Sequence, residues 1–217
     1  ELLYGVLPEY DVITRSAKVI NTEEDKIRLT KAQAACIDFL HGEFDVISFY
    51  GRHAMERNMQ RTSVGHGAFV IGSRRGTSSH QYNPMMILAE KETTEDAGTC
   101  YGMSFVYSGG FKAEVEKDQF GQTRMQMGLQ EEQFSYPLKK GEEFVMPEVI
   151  LTCSNQGLEK LSQNLQRCIR KNLCRGKYKE KVRPVLINSW EACYFDFTGE
   201  DIYHLAEQAK DLGIDMV

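Results

Sequence analysis

The spacing of apolar residues changes at Gly157, and this change constrains the fold more than any other feature of the chain. Before it, apolar and polar residues alternate in short runs separated by turn residues, which is the pattern of half-buried strands. After it, leucine and isoleucine recur at helical spacing from Leu158 to Leu173. The sequence therefore predicts a mainly β protein, with a β-sandwich first and helices later.

The alternating part divides into several predicted strands and turns. Val12–Ile20 and Lys26–Thr30 flank a polar turn, and Phe144–Cys153 reads as one further strand. The clearest predicted hairpin is Tyr101–Lys117, with a turn in which Gly109 and its glycine neighbour adopt positive φ. A second turn after this segment leads into another alternating run that ends near residue 129.

The last 35 residues carry the pattern of a strand, a helix and a second strand. Val185–Ile187 is predicted to be a buried strand, and Thr198 to cap a helix with Asp201 as its capping-box partner. Gly213 ends that helix, and Ile214–Val217 begins the next strand. Such a parallel crossover cannot bury both faces of two strands alone, so we expect it to open a larger α/β domain.

Composition argues against several classes of function. Lys and Arg total 26 against 31 acidic residues, and the net charge of −5 disfavours binding to nucleic acid or to an anionic membrane. The sequence has no apolar run long enough to span a bilayer. Its six cysteines include no C-x-x-C pair, which disfavours a zinc site, and a disulfide framework is not expected in a chain of 217 residues. We expect free thiols in apolar surroundings, no bound metal, and a reducing, cytoplasmic compartment.

Trp190 is the strongest candidate for ligand binding. It follows a predicted strand end, where parallel α/β folds place their sites, and an indole ring can stack on the apolar face of a pyranose. The simpler alternative is a core tryptophan. Glu191 and Asp196 could be read as the carboxylate pair of a glycosidase, but Asp196 lies near a helix start, where capping is the commoner role.

Two polar segments are further candidates. GSRRGTSSHQYNP, Gly72–Pro84, predicts a structured loop or a domain contact, because arginines donate paired hydrogen bonds to carboxylates. Ser79 and His80 are adjacent and lack an orienting acid, so a nucleophilic pair is disfavoured. In GRHAMERNMQR, Arg52 and His53 are expected in a loop, for which simple solvation is the plainer interpretation.

Together these motifs resemble glycoside hydrolase family 36, the microbial α-galactosidases. The matching stretches occur in the family's order and span nearly the whole chain: YGRHAMER, IGSRRGTSSHQYNP, YGMSFVYSGGF and RPVLINSWEACYFDF, followed by LAEQAKDLGI. The resemblance implies an internal piece of a longer enzyme. Its parts would be the latter part of an N-terminal β-supersandwich (1–156), a helical linker (157–182) and the first β/α unit of a catalytic (β/α)8 barrel (183–217).

The same resemblance implies a function and roles for residues. The family hydrolyses terminal α-galactosides such as melibiose and raffinose with retention, using two aspartates on later barrel strands, so this segment alone is expected to be inactive. Trp190 carries over as a wall of the sugar pocket. Arg52 and His53 belong to a loop that approaches the pocket, although the family usually has tryptophan where His53 stands. Family members are often tetramers, and no metal or organic cofactor is implied.

Two other functions remain open at this point. A non-catalytic carbohydrate-binding or assembly module would also be built as a β-sandwich. A related α-N-acetylgalactosaminidase would differ only in pocket residues outside this chain.

Overall fold

The computed structural model describes all 217 residues, which form two compact units, Glu1–Ile169 and Arg170–Val217. The first unit contains the strands and the main hydrophobic core. Its strands are β1 Leu2–Leu7, β2 Val12–Ile20, β3 Ile27–Leu29, β4 Gln33–Phe39, β5 Phe44–Arg52, β6 Met55–Ser63, β7 Gly67–Gly72, β8 Tyr82–Glu90, β9 Cys100–Phe105, β10 Phe111–Lys117, β11 Thr123–Leu129, β12 Tyr136–Leu138, β13 Glu143–Val145 and β14 Val149–Ser154. A short 3₁₀ turn, Pro8–Tyr10, separates β1 from β2.

The strands form a large sheet and a smaller one. The large sheet has the order β1-β2-β14-β9-β8-β5-β6, with β13 also paired to β2. The smaller sheet has the order β10-β11-β4, and β7 runs beside β10, where Ser73 N donates to Phe111 O at 2.9 Å. A separate pair joins β12 to β3. The prediction of a mainly β sandwich is therefore confirmed.

The main core lies between the two sheets. Alternate residues of β10, Phe111, Ala113 and Val115, are fully buried, as the alternation predicts. They meet apolar side chains from the inner face of the large sheet, among them Met86, Leu88, Met103 and Phe105. Each sheet buries its apolar inner face against the other, and this contact determines how the two sheets stack.

A helix, α1 Gly157–Cys168, covers part of the outer face of the large sheet. Its buried stripe includes Leu158, Leu161 and Leu165, as the helical spacing predicts. The helix ends earlier than that spacing indicates, because residues Ile169–Leu173 form a π-helical segment and Leu173 is exposed. Beyond this point the sheet no longer covers the apolar stripe, and the α-helix ends because it loses this tertiary packing.

The predicted hairpin Tyr101–Lys117 is wrong. β9 pairs with β8 and β14, whereas β10 pairs with β11, so the connection between them crosses from one sheet to the other. Alternation marks a strand but does not identify its partner. Gly109 does not adopt positive φ either; a Cβ there would lie 2.3 Å from the exposed Tyr107 ring, which would have to shift.

Two further strand predictions need correction. Phe144–Cys153 is not one strand but the separate strands β13 and β14, with a break around Pro147, whose nitrogen cannot donate a ladder hydrogen bond. Val12–Ile20 is a strand as predicted, but the strand after its polar turn, β3, pairs with β12 rather than returning along β2. The first error is local, at a proline, and the second concerns pairing across a long sequence distance.

The second unit contains two helices, α2 Trp190–Cys193 and α3 Gly199–Asp211. The predicted capping box is confirmed, since the Thr198 side chain accepts from Asp201 N and the Asp201 side chain accepts from Thr198 N. The predicted parallel pairing is present as a single bridge, Leu186 to Met216. Val185–Ile187 is otherwise not the buried strand predicted, because its side chains have no packed layer over them in this unit and Val185 is exposed.

Candidate functional site

Trp190 lies at the start of α2, directly after the segment that pairs with Met216. Its backbone N–H donates to Asn188 Oδ1 at 2.9 Å, and its carbonyl accepts from Tyr194 N at 2.8 Å. The indole is 47% exposed. Trp190 is therefore about half-buried within its unit, and its role in ligand binding stays a prediction.

Two aromatic rings that the sequence analysis did not single out pack against Trp190. The centroid of Phe195 lies 4.9 Å from that of Trp190 with the rings at 89°, and Tyr194 lies at 5.4 Å and 73°. The chain reverses at Tyr194, whose φ of 49° is unusual for a residue with a side chain. Such edge-to-face contacts hold the indole while leaving ring surface for a ligand. The density of aromatic residues in WEACYF was the signal available in the sequence.

The two carboxylates beside this aromatic cluster are both exposed. Glu191 lies in α2, and Asp196 follows the reversal, where its N–H donates to Cys193 O at 2.9 Å. A general acid needs surroundings that exclude water, and neither side chain has them in this unit. The expected capping role of Asp196 is wrong, because Thr198 caps α3.

Arg52 and His53 lie at the tip of the β5–β6 hairpin, with Arg52 still in the strand and His53 in the turn. Arg52 is the last residue of β5 and pairs with Met55, and its Nη2 lies 3.1 Å from Met55 Sδ. His53 occupies the turn with Ala54, whose N–H donates to Glu56 Oε1 at 3.0 Å. Hydrogen bonds from the Glu56 and Ala54 backbone lower the pKa of the Glu56 carboxyl.

The hairpin tip is bent by an irregularity in the strand pairing. The register shifts between Tyr50 and Arg52, and Arg57 adopts a φ of 56°. At Gly51 a Cβ would lie 2.3 Å from the Met55 carbonyl oxygen, so only glycine fits there. The positions of Arg52 and His53 are therefore set by backbone geometry, while both side chains remain exposed.

The segment Ser73–Gln81, here called the polar loop, connects β7 to β8. Ser73 Oγ donates to Thr77 O at 2.6 Å, and Ser78 N donates to Ser108 O at 2.8 Å. Arg74 Nε lies 2.6 Å from Glu132 Oε2, so one of the two arginines binds a carboxylate of the same unit, through a single nitrogen. Arg75 forms no ion pair.

The cysteine thiols and the possible metal ligands offer little chemistry. Cys100 is buried; burial, then the nearby Cys153, raises its thiol pKa to about 11. Cys168 is also buried, but Cys153 and Cys174 are exposed, so apolar surroundings do not hold for all six thiols. The structure contains no group of three or more His, Cys, Asp and Glu side chains able to hold a metal ion. No helix is long and apolar enough to cross a membrane.

These features define the class of protein: a β-sandwich unit followed by a β/α unit that carries an exposed aromatic cluster, Trp190, Tyr194 and Phe195. Residues 1–139 match the family model described as the glycosyl hydrolase family 36 N-terminal domain, and residues 143–217 match the model described as melibiase. The chain belongs to glycosyl hydrolase family 36.

Its relatives include several proteins named as α-galactosidases. It is 65% identical to the bifunctional α-galactosidase/sucrose kinase AgaSK of Mediterraneibacter gnavus, covering 100% of this chain and 23% of that protein. It is 43% identical to α-galactosidase Mel36A of Lactobacillus acidophilus, covering 100% of this chain and 30% of that protein. The chain thus spans less than a third of the length of these relatives.

Solved structures agree with this assignment. The galactosidase domain of AgaSK matches with a TM-score of 0.93 at 65% identity, covering 100% of this chain and 30% of that chain. A variant of AgaA from Geobacillus stearothermophilus in complex with raffinose matches with a TM-score of 0.94 at 41% identity, covering 99% of this chain and 30% of that chain.

Proposed function

We propose that this chain is a segment of a retaining α-galactosidase that hydrolyses terminal α-galactosides such as melibiose and raffinose. The observation that carries the proposal is the end-to-end match, at 65% identity, to a protein named as an α-galactosidase. A relative's structure in complex with raffinose supports the substrate class.

In this proposal Trp190 forms a wall of the galactose pocket. Its exposed indole and its edge-to-face contacts with Tyr194 and Phe195 support that role. An indole held by neighbouring rings loses little freedom when a sugar stacks on it, so stacking is favourable. Arg52 and His53 are proposed to approach the substrate from the hairpin tip, where both are exposed and held by a rigid turn.

The catalytic carboxylates are proposed to lie in the part of the enzyme that this chain does not include. A retaining enzyme needs two carboxyl groups about 5–5.5 Å apart, one of them kept protonated by its surroundings. Exposed Glu191 and Asp196 do not meet that need. We assign residues 1–156 to the supersandwich, 157–182 to a helical linker and 183–217 to the start of a (β/α)8 barrel.

The whole enzyme is further proposed to be a cytoplasmic homo-oligomer, most simply a tetramer, with no nucleic-acid or membrane partner. The six cysteines, which are not expected to form a disulfide framework, support a reducing compartment. The net charge of −5 supports the absence of a nucleic-acid or membrane partner. Size-exclusion chromatography with light scattering on the whole enzyme measures the oligomeric state directly.

Activity measurements test the proposal. The whole enzyme should release the aglycone from an aryl α-galactoside, and proton NMR should detect α-galactose as the first product. The 217-residue chain should match the buffer blank. Turnover by this chain that disappears in Glu191→Gln would contradict the proposed location of the carboxylates. A whole enzyme that binds galactosides without cleaving them would favour a non-catalytic module.

A further inference from the structure

A second cleft lies on the β-sandwich unit, and Tyr82 on its wall pairs with Tyr50 of the neighbouring strand β5. It has a volume of about 620 Å³, within the range of about 300–1,000 Å³ of small-molecule sites. The polar loop forms one wall, and the ends of β10 and β11 form the other. Its lining includes Arg74, Arg75, Gln81, Tyr82, Lys112 and Glu131.

The walls of this cleft are rigid. Gly72 packs so closely on β10 that a Cβ there would lie 2.5 Å from the Phe111 carbonyl oxygen. Lys112 Nζ lies 2.6 Å from Glu131 Oε1 and 2.8 Å from Glu114 Oε2, which holds the lysine in place. A cleft built in this way binds without a large ordering cost.

Its charges are mostly paired. Arg74 binds Glu132 and Lys112 binds Glu131, so Arg75 is the one charged residue of the lining without a partner of opposite charge. An anionic ligand would meet Glu131 and Glu132 at the wall, and a cationic one would meet Arg75. The electrostatics therefore favour a neutral ligand that carries many hydroxyl groups.

Three groups in the cleft are available to such a ligand. The Tyr82 ring is exposed and has no aromatic partner. The side chains of Arg75 and Gln81 make no hydrogen bond, although they line the cleft. An open ring offers a stacking surface for a pyranose, and a planar guanidinium and an amide offer paired donors and an acceptor to adjacent hydroxyls.

We propose that this cleft is a second, non-catalytic binding site for a neutral oligosaccharide, with Tyr82 as the stacking surface and Arg75 and Gln81 as hydroxyl ligands. It lies within the first unit and uses none of the residues of the aromatic cluster around Trp190. The site would hold a galactoside chain on the sandwich while the enzyme acts on such chains. The choice of raffinose as a probe rests on the proposed function, but the site itself does not.

Calorimetric titration of the whole enzyme tests the site. The galactose pocket is first saturated with 1-deoxygalactonojirimycin, the ligand of a related AgaA structure, and raffinose is then added. We expect one further raffinose per chain. Tyr82→Ala should weaken that binding about ten-fold or more, whereas Tyr82→Phe should retain it. Gln81→Ala should also weaken it, and the fold should be unaffected because the exposed Gln81 side chain makes no hydrogen bond.

Phe120→Ala is the matched control, because Phe120 is an exposed aromatic residue in the β10–β11 turn and does not line the cleft. This substitution should leave the binding of raffinose to the saturated enzyme unaffected. Absence of residual raffinose binding, or residual binding that neither Tyr82→Ala nor Gln81→Ala weakens, would overturn the proposal. If 1-deoxygalactonojirimycin fails to bind while raffinose still binds through Tyr82, the proposed α-galactosidase activity fails and this site stands.

Discussion

Arg61 on the edge strand β6 holds Asp45 on the neighbouring strand β5, with Nε 2.7 Å from Asp45 Oδ2. The same guanidinium donates to the backbone carbonyls of Glu90, Lys91 and Thr93. Lys91 Nζ adds a second contact, 2.5 Å from Asp45 Oδ1. One side chain thus fastens the edge strand to the turn that follows β8, and the Asp45 side chain is only 12% exposed.

Arg61→Ala should lower the free energy of unfolding by about 1–3 kcal/mol, because it leaves a mostly buried carboxylate short of a donor. Chemical denaturation monitored by circular dichroism measures the change. Arg124→Ala is the matched control: Arg124 binds Asp38 through two nitrogens, but both side chains are about half exposed, so its loss should cost less than about 1 kcal/mol. Equal losses in the two variants would contradict the argument.

The Asp45 contacts also predict a pH dependence. Burial alone would raise the pKa of Asp45, but hydrogen bonds from Lys91, Arg61 and Ser63 outweigh it and hold that pKa below its ordinary value. The stabilisation is therefore complete above the unfolded pKa of about 3.9 and is lost as the pH falls through the lower folded pKa. The difference in unfolding free energy between the native chain and Asp45→Asn should be constant from pH 7 to 5 and shrink below pH 4. A difference that grows on acidification would refute this assignment.

The strand pattern was predictable where it depends on neighbours in sequence. Val12–Ile20 and the capping box of Thr198 and Asp201 are local features, and both are present. Pairing partners were not predictable, because β9 and β10 carry the same alternation yet belong to different sheets. The Asp45–Arg61 contact was hidden for the same reason: it joins residues that only the sheet brings together.

Gly157→Ala should be strongly destabilising. Gly157 has a φ of 79°, and a Cβ there would lie 2.2 Å from the Glu95 carbonyl oxygen, so the start of α1 would have to move off the sheet. Left-handed geometry alone costs a residue with a side chain about 1–2 kcal/mol, and the clash adds to it. Thermal unfolding measures the result.

Gly121→Ala separates these two effects. Gly121 has a similar φ of 80°, but nothing lies within 4 Å of its Cβ position. Its replacement should therefore show only the conformational part of the loss. If the two alanine variants unfold at the same temperature, the contact between α1 and the 93–98 turn does not constrain the fold.

Trp190→Ala in the whole enzyme should reduce kcat/KM for an α-galactoside about ten- to a hundred-fold, as loss of a stack of about 1–3 kcal/mol implies. Galactose affinity should fall with it, while the melting temperature changes little, since about half of the Trp190 surface is already exposed within its unit. Trp190→Phe should restore part of both. A large drop in melting temperature with unchanged galactose affinity would make Trp190 a packing residue.

The candidate site was only partly visible in the sequence. Trp190 stood out because a single tryptophan follows a strand pattern. The contribution of Tyr194 and Phe195 depends on a chain reversal at Tyr194, and no local pattern indicates a left-handed φ at a tyrosine. The cleft beside Tyr82 combines side chains from three separate segments, so its shape exists only after folding.

The central place of β14 has a consequence for the order of events on the ribosome. Residues 149–154 insert between β2 and β9, so the middle of the large sheet stays vacant until almost the whole sandwich has been translated. At about 5–20 residues per second, β2 waits about 7–27 seconds for this partner. During that interval the unpaired edge of β2 is open to pairing with other nascent chains, so slower synthesis lengthens the time in which this edge can mispair.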